Sequence, residues 1–110
     1  MTNETEFKIS NHNDWKIFSL IGRLDTVTAP EAEKACGVVM QENDKVAFDM
    51  TAIDYISSAG LRILFRFAKQ AKRLKKDFVL FGARDMVDKV LEASGMNMLV
   101  KMYETQDDLP

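Results

Sequence analysis

The hydrophobic and polar positions along the chain predict alternating strands and helices. Strand-forming residues fill 7–9 and 15–21, and turn-forming residues occupy 12–14 between them, which predicts an opening hairpin. Largely apolar runs at 45–50 and 78–81 are each flanked by helical periodicity, and this arrangement is typical of central parallel strands. The pattern therefore favours a mixed sheet with helices packed against it.

Helical patterns occupy the segments between these strands. Thr28-Ala29-Pro30-Glu31 has the T-x-x-E spacing of a capping box with proline in the first turn, and it predicts a helix that continues to about Met40. A second helix is predicted to follow Ser58. Asp85 can cap a third helix, which carries its apolar residues on one face and ends at Gly95.

The whole chain, 1–110, is predicted to be a single α/β domain, since 110 residues is the size of one ordinary domain. A last edge strand is predicted at 99–103. The order of elements is then ββαβαβαβ, which gives a mixed sheet of about four to five strands with helices packed against it.

The second helix separates into two faces when its residues are projected at about 100° per residue. The apolar arc, predicted to be buried, contains Ile63, Leu64, Phe67, Ala68, Ala71 and Leu74. The opposite basic stripe contains Arg62, Arg66, Lys69, Arg73 and Lys76. Such a stripe is most often a solvated helix face, although it could contact an anionic partner or a membrane surface. Phe65 falls outside the middle of the apolar arc, so an exposed aromatic is predicted beside Ser58, where it would suit a protein contact.

Two hydroxyls, on Ser57 and Ser58, stand where this helix begins. The first turn of a helix offers unpaired N–H groups and the positive end of the dipole, so a phosphate placed there is tolerated. The projection makes Ser58 the more accessible of the two, and Ser57 the second choice for a phosphorylation site. The alternative is that both serines only cap the helix.

Composition and charge exclude several classes of protein. The chain has 46% hydrophobic and 29% charged residues, as globular proteins do, and its net charge of −2 gives no pull toward nucleic acid. Cys36 is the only cysteine, so no internal disulfide can form, and we expect it to be buried. No apolar run approaches the roughly 20 residues of a spanning helix, and 1–6 do not resemble a signal peptide. We therefore expect a cytoplasmic protein with no transmembrane segment and no direct contact with nucleic acid.

Patterns of catalysis or cofactor binding are missing from the sequence. His12 is isolated in a predicted turn, so no Ser/His or Cys/His set can be assembled. Neither G-x-x-x-x-G-K-[ST] nor G-x-G-x-x-G occurs. Asp25, Asp49 and Asp54 lack the clustered spacing of a metal site. We expect no enzyme activity, no catalytic residue, no cofactor and no metal.

The residues around Ser58 resemble a known family. The runs 46–50 and 53–64 are similar to the signature of the STAS domain, the fold of bacterial anti-sigma factor antagonists (anti-anti-sigma factors). The segments 22–25 and 28–30 look like that family's second block, and 95–103 resembles its ending. Nearly the whole chain is covered.

The resemblance implies a partner switch that regulates transcription. In family members, the unphosphorylated domain binds an anti-sigma factor that is also a serine kinase, which frees the sigma factor. Phosphorylation by that kinase ends the contact, and a metal-dependent serine phosphatase restores it. Anchored on Gly60, the family's phosphorylated serine falls on Ser58, with Ser57 in place of the usual acidic residue and Ala59 in place of the usual hydroxyl residue.

The resemblance also implies a partner surface, for which we select Asp25, Thr28, Ser57, Ser58, Ala59, Gly60, Arg62 and Phe65. STAS domains occur in other assemblies too. The chain could therefore be a non-switching subunit of a membrane-associated lipid-transport complex or of a stress-signalling complex, or an uncharacterised scaffold domain. A weak homodimer through Phe65 is a further alternative.

Overall fold

The computed structural model describes residues 5–110, which form six strands and three helices. The strands are β1 (Glu6–His12), β2 (Trp15–Leu24), β3 (Lys45–Asp49), β4 (Ile53–Ile56), β5 (Asp77–Phe81) and β6 (Met102–Tyr103). The helices are α1 (Ala29–Glu42), α2 (Ser58–Leu74) and α3 (Asp85–Ser94). Short 3-10 turns, Met96–Met98 and Gln106–Asp108, lie before and after β6.

The strands form a mixed sheet in the order β1-β2-β3-β5-β6. β1 and β2 make the predicted antiparallel hairpin, and Asn13 in its turn has a left-handed φ of 55°. β3, β5 and β6 continue the sheet in parallel, so the prediction of central parallel strands is confirmed.

One strand was not predicted. β4 runs parallel to the end of β2, with Leu24 opposite Ile56, and it lies off the main path of the sheet. It occupies the segment between β3 and α2, where the sequence analysis predicted no strand. The sheet therefore has six strands rather than four to five.

Alternate residues of the central strands face opposite sides of the sheet, as strand geometry requires. One side packs against all three helices and includes Phe18, Leu20, Val46, Phe48, Phe78 and Leu80. The other side is smaller and consists of Trp15, Ile17, Ala47, Val79 and Phe81 with Leu109 from the end of the chain. The helices thus cover one face only.

The predicted cap of α1 is right in position but lacks its side-chain hydrogen bond, and the predicted cap of α3 is wrong. Thr28 is the N-cap of α1, but its side chain makes no cap hydrogen bond, because the hydroxyl bonds to the loop before it. The N-cap of α3 is Arg84, and Asp85 is the first helical residue. The predicted end of α3 is confirmed, since Gly95 follows the helix with a φ of 85°.

The two faces of α2 are mostly as predicted. Ile63, Leu64, Phe67, Ala68 and Ala71 are buried, and Arg62, Arg66, Lys69 and Arg73 are exposed. Leu74 is 48% exposed, so its place in the buried arc is wrong. The helix ends there because Lys75 turns to a left-handed φ of 59°. Lys76 consequently leaves the basic stripe, and its Nζ donates to the backbone oxygens of Met40 and Gln41.

Candidate functional site

The hydroxyls of Ser57 and Ser58 have different environments. Ser57 is the N-cap of α2, is half-buried, and its Oγ accepts a hydrogen bond from the backbone N–H of Gly60 at 3.4 Å. Ser58 is the first residue of the helix and is exposed. The prediction that Ser58 is the more accessible hydroxyl is confirmed.

Gly60 lets α2 approach the end of β2 closely. A Cβ at this position would lie 2.7 Å from the backbone oxygen of Leu24 and 2.8 Å from its Cγ. The same oxygen accepts a hydrogen bond from the backbone N–H of Ser57 at 3.0 Å. Because a backbone oxygen cannot easily move aside, the glycine fixes where Ser57 and Ser58 stand relative to β2.

The loop after β2 is organised by Asp25. Its Oδ1 accepts hydrogen bonds from the backbone N–H groups of Val27 at 3.0 Å and Thr28 at 3.1 Å. Its Oδ2 accepts from Nε of Arg23 at 3.1 Å. The backbone N–H of Thr28 has the largest effect on this carboxyl, and together with Arg23 and Val27 it outweighs burial, so the pKa of Asp25 lies below its usual value.

Thr28 closes the same loop from the other side. Its Oγ1 donates a hydrogen bond to the backbone oxygen of Arg23 at 2.7 Å and accepts one from the backbone N–H of Asp25 at 3.0 Å. The hydroxyl therefore joins the end of β2 to the start of α1. Since β2 also pairs with β4, this loop and the start of α2 lie at the same edge of the sheet, where the parallel strands end.

A cross-strand pair that the sequence analysis did not assign lies at this edge. Arg23 and Tyr55 are register partners on β2 and β4, and the Arg23 guanidinium lies 4.3 Å from the centroid of the Tyr55 ring. Tyr55 is 40% exposed and Val27 is 80% exposed. The pairing of β2 with β4 would have revealed this pair, but β4 was not among the predicted strands.

A shallow groove of about 160 Å³ separates the starts of α1 and α2. Ala59 and Arg62 line it from α2, and Pro30 and Glu33 line it from α1. Arg66, which also lines it, donates a hydrogen bond to Glu33 at 2.8 Å. Two of the residues assigned to the partner surface thus belong to one concave feature close to Ser58.

Residues 6–109 match the model of the STAS domain. The chain belongs to the STAS domain family. The match includes the hairpin, the loop at Asp25 and the start of α2, so the STAS resemblance found in the sequence is confirmed over nearly the whole chain.

Curated STAS relatives share about a quarter of their residues with this chain. The anti-sigma-B factor antagonist of Listeria monocytogenes is 25% identical over 89 residues, which are 80% of this chain and 78% of the relative. The anti-sigma-F factor antagonist RsfB of Mycobacterium tuberculosis is 24% identical over 101 residues, which are 91% of this chain and 82% of the relative.

A solved STAS structure has the same fold. The crystal structure of an anti-sigma factor antagonist from Mycobacterium paratuberculosis superposes with a TM-score of 0.87 at 25% identity, covering 96% of this chain and 90% of that one. The predicted α/β fold class is therefore confirmed.

The eight residues selected for the STAS partner surface are not equally accessible. Ser58 and Arg62 are exposed, Asp25, Thr28, Ser57, Ala59 and Phe65 are half-buried, and Gly60 is buried. Gly60 can influence a partner only by positioning α2. Phe65 packs partly against the core, so the prediction of an exposed aromatic at that position is wrong, and it lies about 10 Å along the helix axis from Ser58. The exposed aromatic at this edge is Tyr55.

Other candidate chemistry lies away from this edge. Cys36 is fully buried in α1, and burial raises the pKa of its thiol. Asp49 accepts hydrogen bonds from Ser19 and from the backbone N–H of Thr51. Over residues 5–110, no group of three or more His, Cys, Asp and Glu side chains could hold a metal ion. In the same span, no helix is long and apolar enough to cross a membrane.

Proposed function

We propose that this STAS chain is an anti-sigma factor antagonist that works by partner switching. The unphosphorylated chain binds an anti-sigma factor that is also a serine kinase, and this binding frees the sigma factor. The kinase phosphorylates Ser58, which ends the contact, and a metal-dependent serine phosphatase restores it. The names of the Listeria and Mycobacterium relatives support the antagonist role.

The observation that carries the proposal is the exposed hydroxyl of Ser58 at the first position of α2. The unpaired N–H groups and the positive end of the helix favour an anion there, typically by about 0.3–1 kcal/mol. Arg62 is exposed four residues further along the same helix, so its guanidinium can pair with a phosphate on Ser58. Phosphorylation would therefore change the surface without unfolding the chain.

Because of the position of Ser58, its phosphorylation should control whether a partner protein binds. A protein that covers the groove between α1 and α2 together with the loop at Asp25 must also cover Ser58. A phosphate adds about −1.5 to −2 charges, which the partner would have to desolvate. Taking such a charge out of water costs several kcal/mol even when Arg62 pairs with it, so we expect affinity to fall by about a hundredfold or more.

The test uses the full chain with an affinity tag, produced in its own cells, as wild type, Ser58→Ala and Ser58→Asp. We expect wild type and Ser58→Ala to co-purify with a protein that contains an ATP-binding kinase domain. Ser58→Asp should lose this partner, because the aspartate carries a permanent charge at the contact. Site-resolved mass spectrometry of the wild type should find phosphate on Ser58 in the fraction without the partner.

Ser10→Asp is the matched control, because Ser10 is exposed on β1 and the substitution adds the same charge outside the site. It should bind the partner as the wild type does. Equal binding by Ser58→Ala and Ser58→Asp would refute the switch. Co-purification with membrane components by all variants, with no phosphate on Ser58, would instead identify a non-switching subunit of a larger complex.

A further inference from the structure

A cavity lies at the edge of the sheet opposite to Ser58. It has a volume of about 340 Å³, near the lower end of the roughly 300–1,000 Å³ that small-molecule sites occupy. Lys45 and Asp77, which begin β3 and β5, line it together with the C-terminal half of α2. Ser58 stands at the other end of that helix, so the cavity is separate from the proposed partner surface.

The floor of the cavity is apolar. Ala68 and Ala71 reach it from α2, Phe78 from β5, and Val100 from the segment before β6. Each of these residues is between 3% and 8% exposed, so the floor consists of residues that are otherwise part of the core. A floor of this kind favours an aliphatic group over a fully polar ligand.

The rim of the cavity is cationic. Four lysines line it, Lys45, Lys72, Lys76 and Lys101, and Asp77 is the one acidic side chain among the lining residues. This local excess of positive charge opposes the net charge of −2 of the whole chain. Such a concentration of like charge in a concave surface raises the local potential and attracts an anion.

Two of these ammonium groups, those of Lys72 and Lys101, are available to a ligand on the side of the sheet that faces α2. Lys76 is already bonded to the backbone oxygens at the end of α1. The ion pairs between residues of 5–110 are Arg23–Asp25 and Arg66–Glu33, so Lys45, Lys72 and Lys101 have no carboxylate partner within that span. The Nζ of Lys45 lies 5.5 Å from the centroid of the Trp15 ring, which belongs to the second side of the sheet, so Lys45 points away from α2.

We infer that this cavity binds a small amphipathic anion, a medium-chain carboxylate, with its chain on the apolar floor and its carboxylate between Lys72 and Lys101. The aliphatic chain of the ligand packs on the apolar floor, which removes it from water. The carboxylate of the ligand accepts charge-assisted hydrogen bonds from the lysines. The small volume favours a free ligand with a short chain over a long-chain lipid.

The test is a titration of the isotopically labelled full chain with octanoate, followed by two-dimensional NMR of the backbone amides. Octanoate should give saturable shifts at Ala68, Ala71, Lys72 and Val100, and none at Ser58. Acetate has the charge without the chain, and octanol has the chain without the charge. Both should bind at least about tenfold more weakly than octanoate, because acetate cannot pack on the apolar floor and octanol cannot pair with the lysines.

Substitutions of single lysines at the rim test the contribution of each lysine to octanoate binding. Lys72→Glu and Lys101→Glu are at exposed positions and should each weaken octanoate binding at least about fivefold, since each reverses a charge at the carboxylate. Lys69→Glu, on the exposed face of the same helix and outside the cavity, should leave it unchanged. Absence of saturable shifts, equal binding of octanol, or equal effects of the Lys69 and Lys72 substitutions would overturn the inference. Ser58→Asp should not alter octanoate binding, so this result is independent of the partner switch.

Discussion

Hydrogen bonds of single residues fix the backbone at the edge of the sheet that carries Ser58. Asp25 receives two backbone N–H groups and one guanidinium, and Thr28 links the same loop to the end of β2. Ser57 caps the helix and leaves Ser58 with the exposed hydroxyl. The loop and the helix start are therefore held in place before any partner arrives, which favours rigid recognition.

Asp25 predicts a dependence of stability on pH. Its folded pKa lies below the reference value of 3.8, so the folded state binds fewer protons than the unfolded state in acid. The stabilisation is fully present above about pH 4 and is lost as the pH falls through the folded pKa. Urea unfolding should show Asp25→Asn to be less stable than wild type at pH 7, and the difference should shrink progressively below pH 3.8.

Asp54→Asn is the control for this measurement, since it removes the same charge from an exposed position on β4. Its difference from wild type should stay small at every pH. A difference in stability between Asp25→Asn and wild type that stays constant from pH 7 to pH 3 would show that the negative charge of Asp25 does not stabilise the loop.

At the scale of elements, the placement of α2 against β2 decides where the site lies. The helix carries Ser58 at its start and buries its apolar arc against the sheet, and Gly60 allows the close approach at its first turn. α1 stands beside it, and the Arg66–Glu33 ion pair joins the two helices. This exposed pair is worth little in stability, so packing rather than charge sets the helix positions.

Gly60→Ala should therefore destabilise the chain, by about 1–3 kcal/mol, because its Cβ would collide with the backbone of Leu24 and push α2 outward. Gly37→Ala is the matched substitution: Gly37 lies inside α1, and a Cβ there meets nothing within 4 Å. It should stabilise by about 0.5–1 kcal/mol, since alanine is the better helix former. Chemical denaturation measures both, and a neutral Gly60→Ala would contradict the close approach.

At the scale of the whole molecule, the two sides of the sheet are covered unequally. All three helices pack on one side, whereas the other side is covered by residues near the end of the chain. Leu109 joins the apolar cluster of that second side, and the Nε1 of Trp15 donates to the backbone oxygen of Pro110 at 2.9 Å. The final residues therefore complete the second core.

Leu109→Ala should lower the free energy of unfolding by about 2 kcal/mol, near the lower end for a buried leucine, because the site lies at the margin of the core. The emission of Trp15, the only tryptophan, should shift to the red as water reaches the indole. Leu74→Ala is the control: this leucine is 48% exposed, so its loss should change stability by less than about 0.5 kcal/mol. Equal effects of the two substitutions would show that the last residues do not pack on the sheet.

Local signals in the sequence were sufficient for most of the fold. The hairpin, the central strands and the start of α2 follow from patterns within a few residues, as does the end of α3 at Gly95. The same signals gave the right N-cap position for Thr28 but not its hydrogen bonds, and they misplaced the N-cap of α3 at Asp85 instead of Arg84. A side-chain hydroxyl or carboxylate can form hydrogen bonds with several nearby backbone groups, and the conformation of the surrounding loop determines which of these bonds forms.

The sequence by itself therefore determined the order of most elements, the apolar arc of α2 and the exposure of Ser58, because periodicity and helix-start chemistry are local. The STAS resemblance also lay in the sequence. Only the tertiary structure decided that β4 pairs with β2, that Arg23 stacks on Tyr55, and that lysines from separate segments gather around one apolar floor. The physical reason is distance along the chain: these contacts join segments that no local pattern connects, and they form only when the sheet brings the segments together.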